Sequence, residues 1–193
     1  MLRRNLTAKI LVAVGITVAI VIAIYTYFVI RVQSAWWHER TQAQNLITAG
    51  MLHEYLNGVM LSDRHLEVQG FLLRMQASGE IKHGRITKPD GTVVFSTETQ
   101  EVERAVMNVP TELFGEGRVL QGERIEGDER IAVAMRPVAN SESCRKCHNA
   151  QQQFLGAIVL EKSLAPAEAN IATNRNLLIV YGVVIFVLVG IVL

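Results

Sequence analysis

The chain has 193 residues, half of them hydrophobic, and a formal net charge of +1. That balance excludes the strongly basic surface a nucleic-acid partner calls for. No internal repeat or low-complexity tract is visible, so the length must be accounted for by membrane segments and one ordinary domain.

Residues 10–30 form a run of 21 without a charge, between Lys9 and Arg31. About 20 apolar residues cross roughly 30 Å of hydrocarbon as a helix, so this run predicts a first transmembrane helix. A cleavable signal peptide has a shorter apolar core, about 7–15 residues, closed by small residues. This run instead ends in YTYFVIRVQSAWW, aromatics suited to the membrane interface, with His38 beside Trp36 and Trp37. Arg3, Arg4 and Lys9 place residues 1–9 in the cytoplasm. A second uncharged run, 176–193, follows Arg175 and predicts a second span at the short end of the range. The expected topology is therefore a two-pass protein of the bacterial inner membrane, with residues 31–175 as a periplasmic domain. All 18 Asp and Glu fall in that segment, against 16 of the 19 Lys and Arg, so its surface is not polybasic.

Within the domain, residues 32–78 read mainly as helix. LITAGMLHEYLNGVML spaces Leu46, Ala49, Leu52, Leu56, Val59 and Met60 along one face. Gly58 and Ser62-Asp63 suggest a kink or restart there, with Asp63 as the N-cap of RHLEVQGFLLRMQ. After Gly79 the pattern changes. IKHGRITKPDGTVVFST predicts a hairpin turning at Pro89-Asp90-Gly91, and GRVLQGERIEGDERIAVAMRPVAN a second one turning near Gly127-Asp128. Ile131, Val133 and Met135 alternate with smaller or polar neighbours, as on a half-buried strand. FLGAIVLEKSL reads as a last strand, and Pro166 suits the first turn of an exit helix. The predicted class is α+β: a long N-terminal helix on about five antiparallel strands, flanked by two transmembrane helices.

Between the second hairpin and the last strand lies SESCRKCHNA, which holds both cysteines, Cys144 and Cys147, followed directly by His148. An oxidising compartment does not leave thiols idle. A disulfide between residues three apart closes a very short loop and constrains little. A zinc site needs two more ligands, and His38, His53, His65 and His83 form no close pair. A thioredoxin-like redox pair belongs beside a βαβ unit, of which there is no sign. Cys-x-x-Cys-His is instead the attachment signature of a c-type haem. One turn brings two thiols to the two vinyl groups on an edge of the porphyrin, and the next residue offers an imidazole to the iron. The motif thus predicts one covalent haem c, with thioethers from Cys144 and Cys147 and His148 as the proximal axial ligand.

For the second axial position the candidates are Met51, His53, Met60, His65, Met75, His83, Met107 and Met135, or water at an open site. Met60 is the first choice, because it lies on the helix expected to cover the sheet and shares a face with His53. His53 is the second choice. Arg145 and Lys146 read as solvated spacers.

The arrangement resembles the c-type-haem periplasmic sensor domains of bacterial methyl-accepting chemotaxis proteins and related sensor kinases. The similarity rests on the long helix after a first span, the KPDGTVVFST hairpin, RIAVAMRPVAN, SCRKCH in the connection to the last strand, and FLGAIVLEKSL leading to the second span. It implies a PAS-like or Cache-like fold, a homodimer, and a distal methionine exchangeable with water, for which Met60 is the similar position. It also implies loading by the cytochrome c maturation machinery and a cytoplasmic signalling module. No HAMP, methyl-accepting or kinase segment is present in the chain, which stops inside the second span, as a fragment of a receptor would.

The expected function is that of a membrane receptor input module that senses redox state or a small haem ligand (NO, CO or O2). The rival reading is a membrane-anchored monohaem cytochrome c that carries electrons. An enzyme is not expected, since no acid/base cluster accompanies the motif.

Overall fold

The computed structural model describes residues 2–62, 64, 66–106 and 108–192, with the side chains of 2–8, 11–12, 33–39, 186 and 189–192 excepted. Two compact units emerge: Arg40–Ala165, and a second made of the N-terminal residues up to Glu39 together with Pro166–Leu193.

The second unit consists, among the described residues, of the part of α1 (Leu2–Leu61) up to Glu39 and of α4 (Ala165–Val192) from Pro166 on. Among the described residues one segment is long and apolar enough to cross a membrane, Ala13–Val32, shifted slightly from the expected 10–30. The described residues show no second such segment; residues 176–192 of the second run lie on α4. Gly182 on α4 packs so close to α1 that an added Cβ would come within 3.0 Å of Ile22 Cγ2.

In the first unit the chain builds one antiparallel sheet. Its strands are β1 (His83–Thr87), β2 (Val93–Ser96), β3 (Leu120–Glu126), β4 (Glu129–Ala139) and β5 (Phe154–Ser163), in the order β2-β1-β5-β4-β3. Both expected hairpins form. At the first turn Gly91 takes φ +85°, while Asp90 Oδ1 accepts the Thr92 amide at 2.9 Å. Gly127 takes φ +62° at the second. The central strand β5 is buried on both faces from Gly156 to Glu161, which explains its unbroken apolar run.

Helix α1 continues through Gly58 without a break and ends at Leu61, where Ser62 Oγ donates back to the Gly58 carbonyl at 2.6 Å. The second helix, α2, spans Glu67–Ala77. The expected cap Asp63 lies outside the described residues; α2 opens with Leu66 at the N-cap position and no side-chain cap. The end of α1 and α2 cover one face of the sheet. Leu52, Leu56, Leu72, Ile86, Ile158 and Leu160 form the core between them.

Burial on β4 differs from the sequence expectation. Ala132 and Ala134 are almost wholly buried, whereas Val133 and Met135 are only half-buried. The alanines face α1, and their small size lets the helix approach the backbone. Asn45, itself buried, donates Nδ2 to the carbonyls of Ala132 and Leu160 at 3.3 and 3.4 Å.

The other face carries an ion network. Arg85 Nε and Nη2 donate to Glu101 at 2.7 and 2.9 Å, and Nη1 donates to Glu161 at 2.8 Å. Arg124 Nη2 donates to the second Glu161 oxygen at 2.7 Å. Segment 97–110, which supplies Glu101, folds back on β2. There the Val93 amide donates to the Arg104 carbonyl and the Glu103 amide to the Val93 carbonyl, both at 2.9 Å. Glu103 takes φ +67° to make this return, at a cost of about 1 kcal/mol or more. A short helix, α3 (Thr111–Gly115), then packs against β4.

The network makes stability pH-dependent. Hydrogen bonds from Arg85, which outweigh burial, hold the Glu101 carboxyl below the usual range, with Ser96 and the Arg85 charge adding to the effect. A carboxylate whose folded value is depressed contributes stability above its unfolded value, and that stability is lost as pH falls through the folded one. Glu101→Gln is therefore expected to lower the urea midpoint at pH 7 and to flatten its decline between pH 5 and pH 3. Parallel acid limbs for the two proteins would contradict this.

Candidate functional site

The link between β4 and β5 is a compact loop rather than a loose one. A 3-10 turn at Cys144–Lys146 opens it, with the Cys144 amide on the Ser141 carbonyl at 3.0 Å. The Cys144 carbonyl accepts two amides, those of Cys147 at 3.1 Å and His148 at 3.0 Å. Both thiols and the imidazole are thus tied to one turn. Cys144 is half-buried, with Sγ 3.1 Å from Ser141 Oγ; Cys147, His148, Arg145 and Lys146 are exposed. Both thiols are free. Among the described residues no three His, Cys, Asp or Glu side chains gather as a metal cluster.

Buried Asn140 clasps the loop. Its Nδ2 donates to the carbonyls of Asn149 at 2.9 Å and Gln152 at 2.8 Å, and its amide donates to Gln153 at 2.9 Å. Phe154, where the loop re-enters the sheet, rests against Phe114 of α3 with ring centroids 5.7 Å apart. Sequence reasoning missed Asn140; its one signal is a polar residue closing an otherwise apolar strand. Asn140→Ala is expected to cost about 2 kcal/mol, from two lost bonds at a buried site. Amide exchange at Cys147 and His148 should accelerate with it. Unchanged exchange at both would show that Asn140 does not hold the turn.

The loop closes one side of a cavity of about 300 Å³. Cys144, Cys147 and His148 line it with Met60 and Leu56 from α1. The sheet contributes Ile86 and Thr87 of β1, Phe95 of β2, Val138 of β4 and Gly156 of β5. Thr87 is buried, and its Oγ1 has no partner among the described residues. Gly156 is required here. A Cβ on it would sit 1.8 Å from the Thr87 carbonyl oxygen, so β5 can pass beneath the end of β1 only as glycine.

The structure therefore brings Met60, from the end of α1, to the three motif residues of the β4–β5 loop. Met60 is about two-fifths exposed, on the last turn of α1. His53 does not line the cavity. It lies seven residues back, roughly 10 Å along the helix axis, half-buried with Nε2 3.4 Å from Asn57 Nδ2. Burial, helped by the Arg136 charge, lowers its pKa, so the ring is neutral at pH 7. The other candidates also fall elsewhere. Met51 is exposed, Met75 sits in the core, His83 pairs with Glu98 at 3.0 Å, and Met135 lines a different cavity. His65 and Met107 lie outside the described residues.

The donor set fits a covalently held porphyrin: two thiols and an imidazole on one turn, apolar walls from four strands and a helix, and a facing thioether. Residues 50–165 match the family of sensor domains described as methyl-accepting chemotaxis sensory transducer, class 40H, sensor, and the chain belongs to that family. No curated protein matches it. Among solved structures it is similar to the periplasmic domain of RsbU from Chlamydia trachomatis, with 14% identity and a TM-score of 0.41. It is also similar to the sensor domain of the V. cholerae histidine kinase DctB, with 16% identity and a TM-score of 0.39. Each match covers 72% of this chain, which spans 56% and 57% of the respective structures.

Proposed function

We propose that the chain is the input module of a membrane receptor, and that its periplasmic domain holds one covalent haem c. In this reading Cys144 and Cys147 carry the thioethers, His148 is the proximal axial ligand and Met60 the distal one. The observation that carries it is the meeting of Cys144, Cys147, His148 and Met60 around one apolar cavity. The haem, when bound, supplies an iron whose oxidation state and sixth-site ligand can change. The protein's part is to fix the attachment turn through Asn140, to exclude water with Leu56, Ile86, Phe95 and Val138, and to present a weak thioether from a helix end.

That placement suits signalling. Met60 occupies the final turn of α1, the same helix that carries the apolar segment Ala13–Val32. A ligand biases two states only by its differential affinity for them, and release of Met60 is a local change on an element that enters the bilayer. We place the module in the inner membrane with two passes, as a homodimer, coupled to a cytoplasmic signalling module and loaded by the cytochrome c maturation machinery. Membership in a transducer family favours this over an electron carrier.

Met60→Ala tests the assignment. Expected results are altered oxidised and reduced haem spectra, a lower reduction potential and a faster CO on-rate. Spectra and on-rate identical to those of the parent chain would remove Met60 from the iron.

A further inference from the structure

On the sheet face that packs against α1, one charge is left over. Four arginines lie on the strands, and Arg85, Arg124 and Arg130 each donate to a carboxylate. Arg136 of β4 is the exception: half-buried, it makes no hydrogen bond or ion pair among the described residues. A guanidinium partly stripped of water and given nothing in return is costly. The strand register fixes its surroundings. Arg136 pairs with Ile158 and Val138 with Gly156, so these four share the α1 face with Ala132 and Ala134. Val138 and Gly156 line the motif cavity, which puts Arg136 two residues, roughly 7 Å, from its wall. Helix α1 leaves room for the side chain, because position 50 is glycine and a Cβ there would lie 4.0 Å from Arg136 Nη1.

Polar groups lead from Arg136 back to the cavity. His53, three residues after Gly50, is near enough to feel the Arg136 charge. Asn57, one turn further, lines the cavity, with Nδ2 3.4 Å from His53 Nε2. An amide nitrogen only donates, so Nε2 accepts and the neutral ring carries its hydrogen on Nδ1. That Nδ1 is buried and has no partner among the described residues. Glu54, whose charge also acts on His53, is exposed and bonded to neither group among the described residues. Beside the apolar cavity there are thus two unanswered donors, and the chemistry that answers both is an anion. Haem carries two propionates, on a ring edge that the thioethers do not use.

We propose that Arg136 binds a propionate of the covalent haem, with His53 Nδ1 as a second donor, an assignment that rests on the haem reading above. The carboxylate takes the place of the water that Arg136 has lost, and a bond of this charged kind is the strong kind. Asn57 holds His53 in the tautomer that donates.

The full chain in nanodiscs, both haem-loaded by a cytochrome c maturation system and haem-free, is compared as parent, Arg136→Met and Arg136→Lys. Methionine keeps the apolar stem and drops the charge. In the haem-free protein Arg136→Met should leave the urea midpoint unchanged or raise it, since an unpaired charge is removed. In the haem-loaded protein it should lower the midpoint. At a fixed potential and pH 7 the ferric-to-ferrous ratio should rise about tenfold, the size of effect one nearby unit charge has at a partly buried position. The reduction potential should also depend more steeply on pH between 5 and 8, because a propionate without its guanidinium takes up a proton more readily. Arg136→Lys should restore most of the potential. A haem-loaded Arg136→Met protein with the potential and pH profile of the parent would overturn the proposal. Equal loss of stability with and without haem would overturn it as well, making Arg136 a packing residue. A parent that shows no haem in its pyridine haemochrome spectrum would instead sink the haem reading itself, and this assignment with it.

Discussion

Gly156→Ala is expected to lower the thermal midpoint of the domain by about 10 °C or more. The methyl group would be placed 1.8 Å from the Thr87 carbonyl oxygen and 2.9 Å from its carbon, and both are backbone atoms in a sheet. No rotamer change relieves such a contact, so β1 and β5 must separate at the point where Thr87 pairs with Ala157. Overpacking of a tight interior commonly costs about 1–3 kcal/mol, and a backbone collision belongs at or above the upper end. For a domain of this size that corresponds to roughly 10 °C. The same strand end lines the motif cavity, so the variant should also lose haem occupancy. Gly58→Ala is the matched control, because its Cβ meets nothing within 4 Å and the position is helical and exposed. There the change should stabilise by about 0.5–1 kcal/mol. Scanning calorimetry of the two variants decides the matter, and a Gly156→Ala midpoint within a degree or two of the parent would refute the crowding argument.

The double variant Cys144→Ala/Cys147→Ala is expected to abolish covalent haem altogether, because thioether attachment has no other thiol to use: these are the only two cysteines in the chain. Folding should be almost untouched in the haem-free state. Cys147 is exposed, Cys144 is half-buried, and neither belongs to the core between α1 and the sheet. Substitutions at such positions usually stay within about 0.5 kcal/mol. Urea titration of the haem-free parent and of the variant, beside their absorbance after maturation, separates the two effects. A variant that keeps its haem covalently, or one that fails to fold, would contradict the assignment.

Local chemistry made much of the fold legible in the sequence. Pro89-Asp90-Gly91 and Gly127-Asp128 each carry their turn within a few residues, and Pro166 sits in the first turn of α4 as its missing amide allows. The motif was legible for the same reason, since Cys144, Cys147 and His148 fall within five residues. What depended on distance was not. The pairing of β1 with β5 joins Arg85 to Val159, and no local pattern announces it. The Arg85, Glu101, Glu161 and Arg124 network draws on four separate segments, each of which reads alone as a solvated charge. Ala132 and Ala134 looked like the weak face of β4 because size was taken for depth, whereas closeness of α1 selects small residues there. The choice between Met60 and His53 turned on where α1 meets the cavity, and helical periodicity alone puts both on one face.

The account rests on covalent haem, and one preparation tests it most directly. The full chain, produced together with a cytochrome c maturation system, is purified and its intact mass is measured under denaturing conditions, alongside a pyridine haemochrome spectrum. The account predicts a coloured protein heavier than the bare polypeptide by one haem, with the haemochrome spectrum of a porphyrin bound by two thioethers. A colourless protein with the mass of the bare chain would contradict it.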